Sequence, residues 1–217
     1  MFVSILVSGL LPMSQSALAD IARAEQARLE TCLETVETDP EAAYEDSLAW
    51  LSNGNRPKAR HCNAVALLAL GRLEEGAARL EALASAPDPI ELDLRIRFLA
   101  QAGNAWLAAN HPEAAIVALT EALKLEQNDP DLFKDRAAAY LAVEQWVNGI
   151  DDLDTALEIN AMDAEALSLR ARAYLSTEKL DAAKADMEEA LIYDPENLSI
   201  LVLRGEIREA IRLADLN

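Results

Sequence analysis

Two arginine-aspartate couples recur in this chain: Arg136 with Asp152 and Arg170 with Asp186, each Asp 16 positions after its Arg and the second couple 34 positions after the first. Both residue types can do chemistry, since a guanidinium orients anions and a carboxylate can take up a proton. Each Arg, however, stands in a stripe that is otherwise apolar, and an unpaired charge buried there costs several kcal/mol. The couples are therefore read as internal salt bridges, with a functional basic site as the other reading.

The remaining candidates for chemistry fail sooner. "DDLD", Asp151 to Asp154, falls in a helical pattern that fans its charges apart, and it lacks the central Gly and terminal Glu of a calcium loop. Cys32, His61 and Cys62 offer three possible ligands without a zinc spacing. No phosphate-binding loop, dinucleotide fingerprint, nucleophile elbow or H-E-x-x-H motif is present. No catalytic, cofactor-binding or metal-ligating residue is expected, and the chain is not expected to be an enzyme.

The bulk composition points the same way. Of 217 residues 52% are hydrophobic, and 38 acidic against 19 basic side chains leave a net charge of -19. Such a surface repels phosphate backbones, which argues against nucleic acid and against direct contact with anionic membranes. With only 7 Gly and 8 Pro among abundant Ala, Leu and Glu, the composition favours helix throughout.

The segment "MFVSILVSGLLPMSQSALAD" has no charged side chain before Asp20, an apolar run from Phe2 to Leu11 too short to span a bilayer, and small residues at Ala17 to Ala19. It reads as a signal peptide, residues 1–19, cleaved before Asp20, although its start lacks Lys and Arg. The expected location is then periplasmic or secreted, in a bacterium. In an oxidising compartment the two thiols most simply pair, so a Cys32–Cys62 disulfide is expected; two buried small apolar residues are the other reading.

"RAAAYLAVEQWVNGIDDLDTALEI", Arg136 to Ile159, and "RARAYLSTEKLDAAKADMEEALIY", Arg170 to Tyr193, share nine of 24 positions. Extending the register gives "AGNAWLAANHPEAAIVALTEALKL" from Ala102 and "RGEIREAIRLADLN" from Arg204. Small residues recur at Gly103, Ala137, Ala171 and Gly205, and again at Ala115, Gly149 and Ala183; aromatics recur at Trp106, Tyr140 and Tyr174. The offsets place these residues on one stripe of each of two short amphipathic helices, and a side chain of small size there lets the partner helix approach closely.

These units resemble tetratricopeptide repeats, which implies an all-α fold, a right-handed α-α superhelix of antiparallel helix pairs. The resemblance covers three repeats, residues 96–197, preceded by degenerate helix pairs at 20–95 and followed by a capping helix at 198–217. Arg204, in that last helix, is expected to use Asp186. The family resemblance also implies a concave groove lined by the first helix of each pair. In it would lie Arg97, Gln101, Asn104, Leu107, Lys134, Leu141, Ser168, Arg172 and Leu175, with Asn104, Lys134 and Arg172 open to a peptide; the three leucines form an apolar rail or, in the other reading, are buried between adjacent first helices. A match to the carboxylate clamp of some family members fails at Ala100. The expected function is non-catalytic: a protein-interaction module or scaffold that takes a peptide or protein partner, without cofactor or small-molecule substrate, and touches membrane only through a partner. A permanent structural subunit of an envelope complex and an enzyme sited in the N-terminal pairs are the alternatives.

Overall fold

A computed structural model describes residues 15–88 and 90–216. Among them are eleven α-helices and no strand: α1 (Gln15–Thr38), α2 (Pro40–Ser52), α3 (Pro57–Ala69), α4 (Leu73–Ala84), α5 (Leu92–Ala108), α6 (Pro112–Leu125), α7 (Pro130–Ala142), α8 (Trp146–Ile159), α9 (Ala164–Ser176), α10 (Leu180–Tyr193) and α11 (Leu198–Ala214). The first ten form five successive hairpins, each packed on the next, and α11 covers the last. Most of the expected signal segment lies outside the described residues; Gln15 to Ala19 form the start of α1. No described helix is long and apolar enough to cross a membrane.

Local sequence explains where these helices begin. Asp39, Asp129, Asp163 and Asn197 cap α2, α7, α9 and α11 by accepting from backbone N–H groups of the first turn, and α2, α3, α6 and α7 carry Pro there. Each side-chain cap is worth about 1 kcal/mol. Four of the five hairpin turns share one solution as well. Gly71, Asn110, Glu144 and Glu178 take left-handed backbone with φ of 73°, 63°, 58° and 58°. Each closes its first helix by the same pair of bonds, for example Glu144 N–H to Leu141 C=O and Gln145 N–H to Tyr140 C=O.

Small residues sit where the hairpins close. Ala137 and Ala171 are fully buried. A Cβ added to Gly103 would lie 2.5 Å from Leu119 Cγ, and one added to Gly149 would lie 2.7 Å from Leu141 Cδ2. Gly205 departs from the expected pattern: it is exposed, and a Cβ there would meet nothing within 4 Å, because no second helix follows α11. For the same reason Arg204 has no ion pair among the described residues, and Asp186 is held by Arg170.

The stack is asymmetric. α5 touches α7, α7 touches α9 and α9 touches α11, whereas consecutive second helices make no comparable contact, so the row of first helices is the inner face. Between the second and third hairpins equivalent positions are 39 apart instead of 34, as from Gly71 to Asn110, and the extra residues fall between Ala84 and Ile96. Arg95 pins this insertion by donating to the C=O groups of Ala84, Ala86 and Asp88. α3 and α5 are correspondingly spread, touching through the rings of His61 and Phe98 at 4.7 Å. From the next residue of α3 a disulfide joins Cys62 to Cys32 on α1.

Candidate functional site

Three polar rungs cross the stack, each built on a first helix. Arg136 on α7 donates to Asp152 on α8 at 2.8 and 2.7 Å and to Thr120 on α6 at 3.2 Å. Arg170 on α9 donates to Asp186 on α10 at 2.7 and 2.9 Å and to Asp154 on α8 at 2.7 Å. Both guanidiniums also lie over the aromatic ring one turn on, Tyr140 or Tyr174, at 5.7 and 5.9 Å. Their bonds to Asp152 and Asp186 raise both arginines above an already high pKa. The two guanidiniums are thus held by carboxylates of their own hairpin, as the reading of internal salt bridges expects.

The third rung went unnoticed in the sequence because its chemistry is reversed. Asn63 on α3, fully buried, donates to Ser47 on α2 at 2.8 Å, and Arg79 on α4 donates to Asn63 Oδ1. The partners again lie 16 residues before and after the central one. Matching by position across the insertion, rather than by residue type, would have found it.

Along the inner face the nine residues assigned to the groove separate into three sets. Leu107, Leu141 and Leu175 are half-buried and pack on the hairpin cores, Leu141 directly over Gly149, so they form no free-standing rail. Asn104 donates to Asp135 at 2.8 Å, Ser168 bonds the Glu165 C=O at 2.9 Å, and Lys134 reaches Asp131, Asp163 and Glu165 at 3.0, 3.0 and 3.1 Å. Burial would lower the Lys134 pKa, but bonds to these three carboxylates outweigh it and hold it above the usual lysine range. Burial raises Asp135 in spite of Asn104. Asn104 and Lys134 are thus held within the chain.

Arg97, Gln101 and Arg172 remain exposed. Arg172 is 3.7 Å from Glu206, a loose contact, whereas Arg97 has no carboxylate partner among the described residues. Lys58, one unit earlier on the same face, has none either. Between them His61 is lowered to about 4, first by burial and then by the Arg97 charge, so it is neutral near pH 7. Along the inner face, α3 and α5 thus carry cations without a carboxylate partner among the described residues, whereas Asp131 and Glu165 are exposed toward α9. Among the described residues no cluster of His, Cys, Asp and Glu could hold a metal.

No protein-family model matches the chain, and no curated protein does. Solved structures do. The first tetratricopeptide domain of Spaghetti (RPAP3), bound to the HSP90 peptide SRMEEVD, is 26% identical, with a TM-score of 0.52 over 54% of this chain and 93% of that one. MamA from Desulfovibrio magneticus RS-1 is 16% identical, with a TM-score of 0.67 over 82% of this chain and 97% of that one. YrrB, a tetratricopeptide protein with an unusual peptide-binding site, is 15% identical, with a TM-score of 0.61 over 87% of this chain and 88% of that one. The architecture is that of an all-α tetratricopeptide solenoid.

Proposed function

We propose that this chain is a non-catalytic interaction module that holds an extended segment of a protein partner along its row of first helices. The observation that carries this reading is the pairing state of the inner face. In a chain with 38 acidic side chains, Lys58 and Arg97 have no carboxylate partner among the described residues, while Lys134, on the same row, is held by three. Arg97, exposed, and Lys58, half-buried, suit acidic or backbone carbonyl groups of a peptide, with Gln101 as donor and acceptor. The acidic end near Asp131 and Glu165 suits the basic part of the same partner. A structural relative that holds an acidic peptide supports the reading.

Export to a periplasmic or extracellular compartment belongs to the proposal, supported by the Cys32–Cys62 disulfide, since such bonds persist in oxidising compartments. N-terminal sequencing of the mature protein is expected to begin at Asp20.

The test of the groove is a photo-crosslinking amino acid placed at Gln101, on the inner face, or at Val117, exposed on the second-helix side. Peptides selected from a random display library on the full chain should crosslink at Gln101 and lose binding with Arg97→Glu. Crosslinking at Val117 alone would move the binding face to the outside of the stack.

A further inference from the structure

A cavity of about 170 Å³ opens between α2, α3 and α4, lined by Leu51, Arg60, Asn63, Arg79 and Leu83 among others. It lies on the side of the second helices and is separate from the inner face. Two features of its donors stand out. Arg60 Nε is buried with no hydrogen-bond acceptor, although Arg60 Nη2 reaches Asp88. Arg79 spends Nη1 on Asn63 and has no ion pair among the described residues; the nearby Glu75 has both oxygens bonded to Arg72.

The chain itself shows what this position takes. In the third rung Arg79 stands where Asp152 and Asp186 stand in the other two, and Asn63 stands where Arg136 and Arg170 do. The other two guanidiniums are each closed by a carboxylate with two bonds, whereas Arg79 meets a neutral amide. A guanidinium that keeps free donors at the edge of a partly apolar cavity binds a carboxylate better than any neutral group, because its planar fork matches the two oxygens and the bonds are charge-assisted.

The geometry points to a carboxylate-binding site: an acid group on the free donors of Arg79 with the Arg60 guanidinium beside it, its short aliphatic stem against Leu51 and Leu83. The volume is below the about 300 to 1,000 Å³ of pockets for drug-sized ligands, so the occupant is the size of one side chain. That chemistry can come from a small free acid, from a Glu or Asp side chain of a bound protein, or from a chain terminus.

Titration of the full oxidised chain, followed on the Nε–Hε NMR signals of Arg60 and Arg79, tests the site with four probes. Butyrate represents the free acid, acetyl-Gly-Glu-Gly-amide the side chain, acetyl-Gly-Val the terminus, and butyramide is the neutral control. At least one carboxylate should move both signals saturably, with butyramide about tenfold weaker or inert, and the tightest probe names the source. Arg79→Gln should weaken that probe by about tenfold. Absence of saturable shifts with all three carboxylates, equal binding of butyramide, or unchanged affinity in a folded Arg79→Gln protein overturns the assignment. If Arg79→Gln does not fold, as judged by its circular dichroism, the contrast between butyrate and butyramide on the native chain decides alone. Arg97→Glu should leave the site unchanged, which keeps this test separate from that of the inner face.

Discussion

Arg136 and Asp152 face each other through two parallel hydrogen bonds of 2.8 and 2.7 Å, with side chains only 17% and 9% exposed. The pair holds α7 to α8, and its energy is best exposed by removing one partner. Arg136→Met should cost about 3 kcal/mol in denaturant unfolding, because Asp152 is left buried without its charge partner. Replacing both, Arg136→Met with Asp152→Leu, should recover most of the loss. Equal destabilisation of single and double variants would mean that packing, not the charge, sets the cost.

Glycines separate by environment. Gly103→Ala drives its new methyl into Leu119 Cγ, 2.5 Å away, and should cost about 1 to 3 kcal/mol. Gly205→Ala, in the open middle of α11, should gain up to about 1 kcal/mol from helix propensity alone. Thermal midpoints moving in opposite directions are the expected readout.

Reduction of the disulfide frees a loop with a sequence separation of 30 and should lower stability by about 3 to 4 kcal/mol in the chain-entropy model. Intact mass should rise by two protons on reduction. An unchanged mass would show two free thiols in the native chain.

His61 supplies a pH dependence of defined sign. Its folded value of about 4 lies below the ordinary value of 6.5. The unfolded chain therefore takes up the proton first as pH falls. The stability difference is fully present above pH 6.5, is lost progressively toward pH 4, and changes no further below that. Relative to His61→Gln, the native chain should lose up to about 3 kcal/mol across this interval, measured as denaturant midpoints. Parallel curves for the two proteins would show that His61 titrates alike in both states.

The repeat is visible in the sequence because residue size is what the hairpins constrain: Gly103, Ala137 and Ala171 recur where partner side chains or backbone come closest. The interval between Arg136 and Asp152 is equally visible, and the hairpin shows why it is 16, the distance from the middle of a first helix round the turn to the facing point of the second. What the sequence hid depends on stagger between hairpins. Lys134 on α7 meets Asp163 and Glu165 at the start of α9, the next first helix, and no periodicity within a helix reports how far that neighbour is shifted. Leu107, Leu141 and Leu175 share a face by spacing, but spacing alone does not tell the open groove from the hairpin interior a fraction of a turn away. Leu141→Asp therefore damages the contact with Gly149 as well as any groove, and Arg97→Glu is the cleaner probe of binding.

Each rung also works as a rivet between hairpins. Arg136 needs an acceptor on the helix before it and an acid on the helix after it, Asn63 needs Ser47 and Arg79, and the hairpin of α5 and α6 carries Ala102 and Ala118 at the corresponding places. The third partner always belongs to the preceding hairpin, Ser47 for Asn63, Thr120 for Arg136 and Asp154 for Arg170, so each rung ties two hairpins as well as the two helices of one. Neighbouring hairpins are thereby fastened through a polar interior as well as through their apolar stripes, and loosening one unit would strip a bond from the next.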